Sequence, residues 1–186
     1  IIIDQGDFDI NKKYLSDLRT TAVAEGSKEF FQKIFLWPKI KKYAEPIGTI
    51  KVFDRKIKNS LFFEHTAKEN LGYVIKNSII RKTIIDALKV KKNVKMLKKT
   101  SLKKLQKNSN NILATVSKGS ISASLLISAD GKNSFVRSLS KTKIIHKKYD
   151  HSALVVNISH SKNHNNIAHE IFLKSGPLAI LPMKSE

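Results

Sequence analysis

The sequence predicts a mixed α/β (α+β) fold. An α/β domain built from residues 1–45 and 71–145 is interleaved with a β-rich domain from residues 46–70 and 146–186. Two patterns carry this: strands and helices alternate through the first set of residues, whereas the second set shows strand patterning alone. A third observation locates the chemistry. In Leu125–Arg137, read as LLISADGKNSFVR, an apolar run stops at the small pair Ser128 and Ala129 just before Asp130–Gly131.

Taken in order, Ile1 to Ile3 is a β-branched run ending in Asp4. In a doubly wound sheet an acid so placed hydrogen-bonds a ribose hydroxyl, although a surface acid after any strand looks the same. The Gly-rich fingerprint that precedes such an acid is absent: with seven Gly, the chain has no G-x-G-x-x-G. Gly6 to Ser16 reads as polar loop. Asp17-Leu18-Arg19 then leads into a helix on which Val23, Phe30, Ile34, Phe31 and Phe35 form a core-facing stripe. Pro38 opens a second short helix through Ala44, and Pro46 closes it. Ile50, Val52 and Leu61 to Phe63 alternate as the two strands of a hairpin.

Gly72 to Ile75 is a strand, and Asn77 caps a helix carrying Ile80, Ile84, Ile85 and Leu88 on one face. Arg81 shares that helix and must point away from the apolar side, because a buried unpaired guanidinium is costly. Val94–Leu97, Leu102–Leu105 and Ile112–Val116 are successive short strands, and Lys118–Ser120 turns into a strand ending at Asp130. The Lys-rich segment from Arg137 to Lys148 crosses between domains. Ala153–Ile158, Ala168–Phe172 and Leu178–Leu181 complete the strands.

The apolar run Leu125–Ile127 has the signature of a buried strand, which delivers Asp130 to its carboxyl end. In an open α/β sheet that edge binds ligands. Gly131 permits a sharp turn or a close approach, and Asn133 or Ser134 caps a short helix whose free amides face an anion. A strand–turn–helix junction with no ligand satisfies the same residues.

Ala129-Asp130-Gly131 with Ser134 and Arg137 resembles the A-D-G-x-x-S-x-x-R motif of FAD-dependent aromatic-ring hydroxylases of the p-hydroxybenzoate hydroxylase type, and more narrowly the ubiquinone-biosynthesis hydroxylases. Further pieces stand in that family's order: Asp17-Leu18-Arg19 with Ala22, Leu36-Trp37, Pro46-Ile47, Leu71 to Ile75, Arg81, and Gly176 to Pro182. The resemblance implies that residues 1–45 and 71–145 are part of an FAD-binding, Rossmann-like domain and that 46–70 and 146–186 belong to a substrate-binding sheet. It implies flavin contacts at Asp4, Arg19, Arg81, Val94, Asp130 and Gly131. It also implies a monooxygenase that uses FAD, NAD(P)H and dioxygen on an aromatic, prenylated substrate, with room for peripheral membrane or multi-enzyme association. In such an enzyme the cofactor performs the oxidation, so no Ser-His-Asp or paired-carboxylate site is expected, and none is found.

Composition bounds the remaining classes. The 186 residues, 41% hydrophobic, suffice for a real core. The opening Ile1-Ile2-Ile3-Asp4, without an initiator Met, reads as the interior of a strand and the chain as an internal fragment. With no Cys, disulfides and thiolate metal sites are excluded; no apolar run approaches the roughly 20 residues of a membrane span, so a cytoplasmic location is expected. Net charge +20 raises the alternative of a basic nucleic-acid-binding module. The excess is spread Lys without interleaved stacking aromatics, which reads as solvated surface, and no specific nucleic acid is expected. The four Arg are more selective: Arg19, Arg81 and Arg137 stand at the resembled motif positions, Arg55 does not. His160, His164 and His169 invite a zinc reading, but His169-Glu170 begins H-E-x-x-H without completing it, and no metal is expected.

Overall fold

A computed structural model describes residues 1–8, 17–54, 60–65 and 69–184. In chain order the elements are β1 (Ile2–Ile3), β2 (Thr20–Ala24), α1 (Glu25–Lys33), α2 (Trp37–Ile40), β3 (Glu45–Ile47), β4 (Thr49–Asp54), β5 (Leu61–Glu64) and β6 (Gly72–Lys76). There follow α3 (Asn77–Lys89), β7 (Met96–Leu97), β8 (Leu102–Lys107), β9 (Ile112–Val116), β10 (Gly119–Ala123), α4 (Phe135–Leu139), β11 (Ile167–Leu173) and β12 (Gly176–Ile180). They fall into two compact units, Ile1–Asp9 with Lys91–Ala153, and Ile10–Val90 with Leu154–Glu186.

The second unit holds most of the buried apolar surface. Its three-stranded antiparallel sheet runs β2-β6-β3. Against it pack the helices: Val23, Leu36, Trp37, Ile40, Ala44 and Ile75 are buried together, and Phe31, Ile80 and Ile84 close over them. Trp37 meets Tyr73 edge-on, ring centres 4.9 Å apart, a geometry that aromatic quadrupoles favour. Gly72 is required where β6 passes β2, since a Cβ there would sit 2.6 Å from the Val23 carbonyl oxygen. A four-stranded sheet, order β12-β11-β4-β5, has β11 parallel to β4 and its other pairs antiparallel. Ile47, Val74 and Ala168 form a small core between these two sheets.

In the first unit β1 lies parallel to β7, Ile2 opposite Met96, and β10-β9-β8 is an antiparallel meander with Ala114 and Val116 buried. Thr100 stitches them: its amide donates to the Asp4 carbonyl at 2.8 Å and its hydroxyl to the Lys98 carbonyl at 2.9 Å.

The mixed α/β architecture with several sheets is the one the sequence predicts, but four local expectations are corrected. Thr20–Ala24 is a strand, not the start of a helix; β-branched Thr20, Thr21 and Val23 pair with β6, and strand pairing overrides the 3.6-residue period. Phe30, Ile34 and Phe35 are consequently exposed, and of the phenylalanine stripe Phe31 alone packs on this core. Asn77 is the first residue of α3 rather than its cap; its side-chain oxygen accepts instead from the Thr21 hydroxyl at 2.6 Å. Leu125–Ile127 and Ala153–Ile158 form no strand; Leu125 and Ile127 are 71% and 80% exposed, and β10 ends at Ala123, so Asp130 does not stand at a strand end. An apolar run records what a strand could bury, not whether a partner strand reaches it. No helix among the described residues is long and apolar enough to cross a membrane.

Candidate functional site

The densest polar network in the first unit is built on Ser128–Arg137. Ser134, buried, is the N-cap of α4: its hydroxyl oxygen accepts from the Arg137 amide at 3.0 Å and donates to Asp130 Oδ1 at 2.6 Å. Ser128 donates to the same Oδ1 at 2.6 Å, and the Val136 amide donates to Oδ2 at 3.1 Å. The Ser128 hydroxyl, then the Ser134 hydroxyl and the Val136 amide hold the Asp130 carboxyl well below the usual carboxylate range. Arg137 folds back to donate from Nη2 to the Lys132 carbonyl at 2.6 Å, closing the loop around Gly131, whose φ of 82° suits a glycine.

This corrects the sequence reading of the short helix. The anion that its amides meet is internal: the Val136 amide donates to the Asp130 carboxylate and the Arg137 amide to the Ser134 hydroxyl oxygen. What the loop presents is a fixed anion. An open cleft of about 550 Å³ runs along it, lined by Asp130, Gly131, Ser134, Arg137, Ser140 and Thr142. With two donors on Oδ1 and one on Oδ2, a carboxylate retains acceptor capacity on Oδ2, which suits a hydroxyl donor rather than a phosphate. Ser128 was not singled out from the sequence; a hydroxyl two residues before Asp in a turn is the local signal that points to it.

Asp4 and Val94 also lie in the first unit, at opposite ends of one ladder. Asp4 follows β1 at the carboxyl edge of the parallel pair, with Oδ1 accepting from the Gly6 amide at 2.7 Å. Val94 precedes β7 at the amino edge, its amide bonded to the Lys91 carbonyl at 3.2 Å.

Arg19 and Arg81 belong to the second unit and are brought near each other. The Arg19 carbonyl accepts from the Asn77 amide at 3.0 Å, which ties Arg19 to the first residue of α3, the helix carrying Arg81. The Arg19 guanidinium forks onto Asp17, Nε to Oδ1 and Nη2 to Oδ2, both at 2.8 Å. That fork, with the positive charge of Arg81 adding to it, holds the Asp17 carboxyl at about 2. The Arg19 side chain is nevertheless 71% exposed, so one face of the guanidinium stays open. Arg55 lies outside the described residues.

The histidines do not converge. His164 stands 3.7 Å from Glu45 Oε1 and accepts on Nδ1 from the Asn166 amide, while His169 stacks on Phe53. Among the described residues no group of three or more His, Cys, Asp or Glu is placed to hold a metal ion.

Comparison with known proteins follows the same lines. No family model matches the chain. The solved structure of a Klebsiella pneumoniae HpxO variant complexed with FAD superposes on 90% of the chain and 46% of its own, with a TM-score of 0.61 at 9% identity. The fold is therefore that of the FAD-binding monooxygenases. In sequence, the ubiquinone hydroxylase UbiL of Rhodospirillum rubrum is 31% identical over 172 residues, and the mitochondrial ubiquinone biosynthesis monooxygenase COQ6 of Caenorhabditis elegans is 31% identical over 174. The matches take in 90% and 89% of this chain, which spans 39% and 38% of those relatives. The chain belongs to the ubiquinone-biosynthesis hydroxylase family of FAD-dependent aromatic hydroxylases.

Proposed function

We propose that the protein is a flavoprotein monooxygenase that hydroxylates the ring of a polyprenyl phenol in ubiquinone biosynthesis, using FAD, NAD(P)H and dioxygen. The observation that carries this reading is the Asp130 carboxylate, kept ionised and aimed by Ser128, Ser134 and the Val136 amide on the lip of an open cleft. The residues fit the group. A flavin dinucleotide offers hydroxyls to acceptors and phosphates to cations. Within the first unit Asp130 and Asp4 are anionic acceptors suited to the former; within the second unit Arg19 and Arg81 carry the positive charge suited to the latter. Gly131 leaves room for close approach, and Val94 gives an apolar contact.

When bound, the flavin supplies the redox chemistry, taking electrons from the nicotinamide and activating dioxygen. The chain's own part is to bind and orient it, to present the phenol, and to keep water from the reacting centre. On this reading residues 1–45 and 71–145 serve the cofactor and 46–70 and 146–186 the substrate. That division separates the helix-backed sheet β2-β6-β3 from the sheet β12-β11-β4-β5, apart from the strand β3 at the border. A polyprenyl substrate dissolves in lipid, so the protein works at a membrane face that it need not cross.

In the full-length protein, Asp130→Ala or Arg81→Ala should each lower FAD occupancy, the lost charged hydrogen bond being worth about 1.5–3 kcal/mol. His164→Ala should leave occupancy unchanged. Flavin absorbance per mole of purified protein measures both, and a colourless full-length protein overturns the reading.

A further inference from the structure

The cleft wall formed by Ser140 and Thr142 leads into residues 141–149, KTKIIHKKY, a segment held at its start by the Lys141 amide on the Ser138 carbonyl at 3.3 Å and by the Ser140–Thr142 hydroxyl pair at 2.7 Å. Ile144 is 57% exposed and Ile145 fully so, with a relative accessibility of 105%. Two adjacent isoleucines facing water are unfavourable for a protein that leaves them there. They are bracketed by Lys141 and Lys143 on one side and Lys147 and Lys148 on the other, and Tyr149 follows, 68% exposed, with the Lys147 ammonium over its ring at 5.5 Å. The one acid nearby in sequence is Asp150, and every residue from Lys141 to Asp150 is exposed.

We infer that residues 141–149 are a docking surface for an anionic lipid bilayer, in which Ile144 and Ile145 insert at the headgroup boundary while the four lysines meet the lipid phosphates. The charge decides the occupant. Aliphatic side chains flanked by ammonium groups, with an aromatic ring at the margin, match the depth profile of a membrane interface. A nucleic-acid backbone would take the lysines but offers the isoleucines no apolar phase. Of the other exposed apolar runs, Leu125–Ile127 and Leu154–Ile158 contain no lysine, and Leu61–Phe63 is a strand paired with β4. The inference rests on the hydroxylase reading for what the membrane delivers, a lipid-dissolved phenol beside the cleft, but not for the binding itself.

The test is co-sedimentation of the full-length protein with phosphatidylcholine vesicles containing phosphatidylserine, and with phosphatidylcholine vesicles alone. Ile144→Ser with Ile145→Ser should weaken partitioning into both about tenfold or more. Lys143→Gln, Lys147→Gln and Lys148→Gln together should weaken binding to the anionic vesicles by about tenfold or more and have little effect with the neutral ones. Flavin content is read in the same samples. Vesicle binding by a flavin-free protein would end the hydroxylase reading and leave this one standing. Wild-type partitioning in either variant overturns it. So does an absence of vesicle binding accompanied by duplex-DNA retention that falls with the lysine variant alone, which would make the surface a nucleic-acid contact.

Discussion

Asp17 and Asp130 reach the same charge state by different means. At Asp17 a forked guanidinium does it, so the carboxyl follows its partner. Replacing Arg19 by Gln should raise the Asp17 value from about 2 toward 3.8, read by carboxyl-carbon NMR titration. Because the folded value is the lower one, the pair stabilises the fold above about pH 4, and that contribution fades as pH falls through 2. At Asp130 the donors are two hydroxyls and an amide from its own loop, so the charge is fixed by folding rather than by a second ion. The same rule of sign applies. Its contribution persists further into acid than that of an ordinary aspartate. This arrangement was legible in large part because capping is local chemistry: Asp130, Gly131 and Ser134 stand within five residues, and their spacing alone implies a turn and a cap. The fate of the helix amides was not legible, since it depends on which way the Asp130 side chain turns.

At the scale of elements, the end of α1 repays attention. The Leu36 amide donates to the Phe31 carbonyl and the Phe35 amide to the Gln32 carbonyl, both at 2.9 Å, the paired bonds with which a helix closes through a left-handed residue. Here that residue is Phe35, with φ 59°, where glycine is usual. Its side chain is 82% exposed, so little packing offsets the strained backbone. Phe35→Gly should therefore stabilise the protein by about 1 kcal/mol, measured by chemical denaturation. Periodicity placed Phe35 on the apolar stripe because a count of residues has no access to where the helix stops. The hairpin β4–β5 and the helix after Gly72 were readable, being formed between near neighbours in sequence. The expected strands at Leu125–Ile127 and Ala153–Ile158 were misread because pairing is decided by residues elsewhere in the chain.

For the whole molecule, the net charge of +20 sits largely on lysines spread along the chain. Binding to duplex DNA should be weak and disappear at modest salt, as phosphate neutralisation without base contacts requires; salt-resistant, sequence-specific retention in a mobility-shift assay would contradict the assignment. The α/β class was legible from alternation of elements. The sequence reading also builds each domain from two separated stretches, and the two compact units are each assembled in that manner, with other bounds.

The position of β11 has a consequence for how the chain is made. It lies between β12 and β4, parallel to β4, and β4 leaves the ribosome long before it. During synthesis β4 and β5 can form only a lone hairpin with an unsatisfied edge, carrying the exposed Leu61, Phe62 and Phe63. The nascent chain thus passes through an interval in which an open strand waits for its neighbour, and slow translation or a missing chaperone should divert it into aggregates at that stage.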